Sequence, residues 1–213
     1  MSGREHLVDE LVEELRPAPP LHTPRALFWL WVAGAWLAIV LGMAWTEPFR
    51  PGFAGQLAGS VHFAAEMLVG LGASVVAAWV LFSIAAPGPR HPGRRAAGAF
   101  ALLAAWASVY VVALYAPALE PSSIGMRSAC RNEVLTWGLL ALVPALLALR
   151  QLAPLARVWT GALAGAAAAS IPALLMAIAC MYVPGHILQS HLAPIIVVAL
   201  VGAAAGPLVL RRL

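Results

Sequence analysis

The sequence predicts an all-α, polytopic membrane protein: a bundle of six transmembrane helices preceded by a short N-terminal cytoplasmic amphipathic helix. Three observations predict it. The 213-residue chain is 62% hydrophobic and only 10% charged, more apolar than one globular core can use. Six stretches reach or approach the ~20 residues that cross a bilayer. None alternates with the period of a barrel strand, so a backbone held in lipid must satisfy its polar groups helically. Finally, the basic residues, thirteen arginines and no lysine, gather in short segments between apolar stretches, where they orient spans instead of binding nucleic acid.

The first element is HLVDELVEELRPAPPLHTPR, residues 6–25. Leu7, Val8, Leu11, Val12 and Leu15 fall within about 140° of a helical wheel. Asp9, Glu10, Glu13 and Glu14 take the opposite arc. Ser2 can cap this helix and Pro17 ends it. A helix of roughly ten residues is marginal in water, so it needs a surface to fold against. Membrane-surface helices are usually cationic, and an anionic leaflet repels these carboxylates. A basic protein partner fits better, although the chain's own basic loop at 90–95 is a second candidate. The prolines at 17, 19, 20 and 24 make the following segment an extended tether of about 25 Å at ~3.1 Å per residue. Residues 1–25 are thus expected to form a docking helix and tether, and residues 26–213 the membrane domain. No signal-peptide pattern is read, so the N-terminus is expected to be retained.

The spans follow at roughly 26–46, 60–86, 96–117, 133–150, 158–182 and 190–210. Ten arginines, at 4, 16, 25, 90, 94, 95, 150, 157, 211 and 212, flank one set of span ends, and three, at 50, 127 and 131, flank the other. That bias expects both termini in the cytoplasm of a bacterial inner-membrane protein. The fourth span is the shortest and contains Pro144. Gly161 with Gly165, and Gly202 with Gly206, are small-xxx-small pairs that let helices approach closely. Prolines 144, 172 and 194 are expected to bend their spans.

Little within the spans could perform chemistry. Glu66 is the acid deepest in a span, with His62 one helical turn before it. It is read either as a proton-coupling group or as a neutral or paired group that Arg127 or Arg131 reaches. A small transporter or ion-coupled carrier using Glu66 and His62 is the alternative function from another class. No triad, phosphate loop or HExxH pattern is present, so no enzyme activity and no cofactor are expected. Cys130 precedes the fourth span and Cys180 closes the fifth. On the expected topology both lie at the outer face, where they could form a disulfide, sense thiol-reactive signals, or fill apolar space. A metal site would draw on Cys130, Cys180 and His186, with His191 and His62 nearby, but C-x5-H-x4-H is no standard zinc spacing, and no metal is assigned.

The layout of a Leu/Val/acid helix, a proline-rich hinge, RALFWLW opening the first span, six spans and two cysteines resembles the NrsF-like bacterial membrane anti-sigma factors. The resemblance covers the whole chain and is strongest from Cys130 onward. It departs at Met181-Tyr182-Val183-Pro184-Gly185-His186, where the family often carries polar or acidic residues. The resemblance implies a negative regulator of an extracytoplasmic-function sigma factor, held by the N-terminal helix at the membrane and not through nucleic acid. Leu7, Val8, Leu11, Val12 and Leu15 would anchor the partner while Asp9, Glu10, Glu13 and Glu14 steer it. Cys130 and Cys180 would carry the envelope signal that releases it.

Overall fold

The computed structural model describes residues 23–86 and 91–211. The expected docking helix, with Leu7 to Leu15 and its acids, lies outside the described residues. The first described helix, α1, runs Pro24–Thr46. Its start follows from local chemistry: the Thr23 hydroxyl accepts from the Ala26 amide at 3.2 Å, and Pro24 occupies the first turn, where no intrahelical donor is needed. A stripe of Leu27, Phe28, Trp31, Ala35, Ile39 and Met43 is buried. Trp29, Leu30, Leu37 and Leu41 point outward, the apolar exterior that lipid requires.

A short helix, α2, follows at Phe53–Gly59. The chain then crosses in α3, Val61–Ala85, whose first turn is capped by the Ser60 hydroxyl, and returns in α4, Pro92–Ala113. Next comes α5, Cys130–Arg150. It begins before the expected boundary at 133, which gives the fourth span, expected as the shortest, 21 residues despite Pro144. Helix α6 spans Arg157–Ala179. The last crossing, Pro184–Val209, starts well before residue 190 and has three parts: the turn α7 (Pro184–His186), a π-helix (Ile187–Leu192) and α8 (Ala193–Val209). Six of these crossings are long and apolar enough to traverse a membrane. Their alternation gathers the segments 47–60, 114–129 and 180–183 at one end of the bundle, and residues 23, 86 and 91 and the segment 151–156 at the other.

Helix α6 is the core. Its most apolar window is 89% buried, against 33–44% for the other crossings, because GALAGAAAAS offers neighbours a thin cylinder on every side. The glycine pairs do what their spacing predicts. A Cβ on Gly161 would strike the Gly202 carbonyl, and one on Gly202 would strike Gly161 in return. Gly165 and Gly206 meet the carbonyls of Val198 and Arg157 in the same way. Helices α6 and α8 therefore touch backbone to backbone. Elsewhere a cross-helix bond does the joining: the Trp31 indole N–H donates to the Ala141 carbonyl at 3.0 Å.

Candidate functional site

The functional chemistry collects where 47–60, 114–129 and 180–183 meet. Helix α6 ends at Ala179, earlier than residue 182, and Cys180 is extended. This leaves a short strap before Pro184 restarts the helix. The strap is held on three sides. The Cys180 carbonyl accepts from Arg50 Nη1 at 2.8 Å. The Tyr182 carbonyl accepts from the Ser122 amide at 3.0 Å. The Tyr182 hydroxyl accepts from the Ala118 amide at 3.0 Å and donates to Glu66 Oε1 at 2.9 Å.

Around this strap four metal-ligating side chains converge: Cys130, Cys180, His186 and His191, with one donor atom of each within 4.8 Å of the others. Cys130 Sγ lies 3.0 Å from His186 Nε2, and Cys180 Sγ lies 3.6 Å from the same nitrogen. The rings of His186 and His191 meet edge to face with centroids 5.2 Å apart. The π-helix explains how a five-residue separation can do this. In an α-helix residues five apart diverge around the axis, whereas the i→i+5 bonding of a π-turn stacks residue 191 close to 186. Both cysteines are free thiols. His191 is fully buried, and neither ring nitrogen has a hydrogen-bond partner, a costly state for an imidazole that must hold at least one N–H. A cleft of about 420 Å³, lined in part by Cys130, Arg131, Met181 and His186, opens onto the cluster.

Two buried arginines frame it. Arg127, 3% exposed, donates to both carboxylate oxygens of Glu133 at 3.2 and 2.9 Å and to the carbonyls of Met43, Glu47 and Pro48. It thereby ties the Met43 carbonyl in the last turn of α1, which also accepts from the Glu47 amide at 3.3 Å, and the two carbonyls just beyond that helix to the first turn of α5. Arg50, 2% exposed, lies 5.5 Å from the Phe63 ring centroid, and its Nε and Nη2 lack hydrogen-bond partners. Burial pulls the Arg50 guanidinium below its usual range, while Cys180, Tyr110 and Tyr182 pull the other way. Burial, with the Glu66 charge next, pushes the Tyr182 phenol up, which keeps it a proton donor to Glu66.

The structure thus brings together Cys130, Cys180 and His186, adds His191, and leaves His62 outside that group. Glu66 is paired with Tyr182, whereas neither Arg127 nor Arg131 reaches it: Arg127 is committed to Glu47 and Glu133, and Arg131 to the Gln189 carbonyl. The correction has a simple cause, since Arg127 caps α1 at the adjacent helix. Sequence reasoning missed the roles of Arg50 and Tyr182. The available signal was an arginine beside a proline, and a tyrosine beside the second cysteine, both at span ends. The nine N-terminal residues expected to bind the partner lie outside the described residues.

A family model described as NrsF, negative regulator of sigma F, matches residues 11–211. No curated protein and no solved structure matches the chain. The six crossings, the paired cysteines at one end of the bundle and a match that runs from Leu11 to Arg211 together carry the assignment: the chain belongs to the NrsF family, negative regulators of a sigma factor.

Proposed function

We propose that this chain is an inner-membrane anti-sigma factor that sequesters an extracytoplasmic-function sigma factor through its N-terminal helix and releases it on an envelope signal. Both termini lie in the cytoplasm, in keeping with the arginine bias, so the Cys/His end faces outward. The apolar face of Leu7, Val8, Leu11, Val12 and Leu15 docks into a groove of the partner. Asp9, Glu10, Glu13 and Glu14 speed the encounter with a basic surface.

The observation that carries the signalling half is the meeting of Cys130 and Cys180 with His186 and His191. Two thiols and two imidazoles are the donor set of a thiophilic divalent cation. A tetrahedral site with Zn–S ~2.3 Å and Zn–N ~2.1 Å has S···N edges of about 3.6 Å. The Cys180 Sγ···His186 Nε2 separation, 3.6 Å, meets that value, and the Cys130 Sγ···His186 Nε2 separation, 3.0 Å, is shorter. A cation bound there would link Cys130 at the head of α5 to Cys180 on the strap, and the strap carries Tyr182 to α3.

The test is capture of the sigma factor encoded beside this gene by the full chain in membranes. Leu11→Asp is expected to abolish capture, and Cd²⁺ added to the outer face is expected to release the partner from the parent but not from Cys130→Ser. Deletion of residues 1–16 that leaves the partner bound and silenced would overturn the docking reading. Normal release from the Cys130→Ser variant would overturn the signalling reading.

A further inference from the structure

We propose that a cleft between α3 and α4 binds the ammonium group of an amphiphile, with Glu66 as its counter-ion. The cleft, of about 540 Å³, is walled by His62, Ala65 and Val69 of α3 and by Val109, Val112 and Ala113 of α4, with Glu66 in its lining. That volume lies within the range of small-molecule sites, and so does the pattern of apolar walls around one or two polar groups.

Three features point to a cation. Glu66 is 5% exposed, and the hydrogen bonds given to its oxygens come from one donor, the Tyr182 hydroxyl at 2.9 and 3.1 Å. A carboxylate has about four acceptor positions, so most of its capacity is unmet. Among the described residues the ion pairs join Arg127 to Glu47 and Glu133, and Arg50 donates to the Cys180 carbonyl. Glu66 is therefore a buried acid with no cation in contact among the described residues. A charged carboxylate at membrane depth is costly unless it is paired, and the open side of the cleft is where a pairing group can enter.

Position selects the rest of the ligand. Glu66 stands five residues into α3, about 7.5 Å from the helix end at 1.5 Å per residue, where headgroups give way to acyl chains. The rim is exposed toward lipid: Val112 is 64% exposed, and His62 is exposed as well. An ammonium group would sit on the carboxylate while its chain lies along the valine and alanine walls. This chemistry has two sources, the headgroup of an aminophospholipid or a free long-chain amine entering the envelope. The inference stands apart from the anti-sigma reading, because it concerns binding alone.

The experiment uses the full chain in nanodiscs of phosphatidylglycerol, which carries no ammonium group, with a diazirine-bearing dodecylamine as probe and peptide mapping of the crosslinks. Labelling is expected within residues 62–69 and 109–118. It should fall at least tenfold in Glu66→Gln and equally for the matching dodecanol probe, which keeps the chain and loses the charge. Val109→Trp, which fills the cleft from α4 and leaves the carboxylate intact, should lose labelling to the same extent. Suppression by added phosphatidylethanolamine would identify the lipid headgroup as occupant, and persistence would identify the free amine; both support the site. Equal labelling of Glu66→Gln and parent, equal labelling by alcohol and amine, or undiminished labelling of Val109→Trp would overturn it.

Discussion

Tyr182→Phe removes one oxygen and nothing else, so its cost can be worked from the structure. The ring is 2% exposed and packs edge to face on Phe63 with centroids 5.6 Å apart, a contact that phenylalanine keeps. Two hydrogen bonds disappear: the donation to Glu66 at 2.9 Å and the acceptance from the Ala118 amide at 3.0 Å. A bond to a charged acceptor contributes about 1.5–3 kcal/mol and a neutral amide bond about 0.5–1.5 kcal/mol. Their sum is about 2–4.5 kcal/mol, and the smaller values found between membrane helices, ~0.6–1.7 kcal/mol per bond, favour its lower half. The assay is reversible unfolding of the purified chain in mixed micelles by SDS titration, followed by circular dichroism. A cycle with Glu66→Gln should return a coupling near 1 kcal/mol. A Tyr182→Phe cost below about 0.5 kcal/mol, the level of a neutral surface change, or additivity of the two substitutions, would refute the claim that this hydroxyl latches the strap to α3.

The same titration checks two further outcomes, and calorimetry a third. Arg127→Met leaves Glu133 and the carbonyls of Met43 and Glu47 without their shared donor, and should cost about 3–5 kcal/mol as a broken buried pair. Gly202→Val places a side chain against the Gly161 backbone and should cost about 2–3 kcal/mol by overpacking, while Gly72→Ala, with open space at its Cβ, should be neutral within about 0.5 kcal/mol. His191→Ala is expected to weaken Cd²⁺ binding to the full chain at least tenfold in isothermal titration; unchanged affinity would remove His191 from the ligand set.

Much of this protein was legible because the bilayer is an unforgiving solvent. A backbone in lipid has to form helices, so apolar run length predicted the first five crossings to within about four residues at each end, and the last missed its start at Pro184 by six. Two of the errors share one cause. The third crossing ends at Ala113 and the fifth at Ala179, short of the apolar runs, because hydropathy is indifferent to whether an apolar residue is helical or extended at a span end. Helix α2 escaped notice since GFAGQLAG is brief and glycine-rich. The π-helix at Ile187–Leu192 was invisible for a deeper reason: residue propensities do not distinguish i→i+4 from i→i+5 bonding. With the π-turn hidden, C-x5-H-x4-H read as a poor ligand spacing.

The sequence by itself determined the class, the six crossings, the close approach of the glycine pairs and the nomination of Cys130 and Cys180, because each follows from composition or from a period along one chain. Only the tertiary structure decided what those cysteines face. Cys130 begins α5, Cys180 lies on the strap, and His191 arrives through a π-turn, so their meeting depends on how three crossings pack around α6. It also decided the partners of the buried charges: Arg127 went to α1 and Glu133, Arg50 to the Cys180 carbonyl, and Glu66 to Tyr182. Pairings of this kind join residues 6 to 130 positions apart, and no local pattern encodes them, because the cost of burying each polar group is met by whichever neighbour the bundle brings within reach.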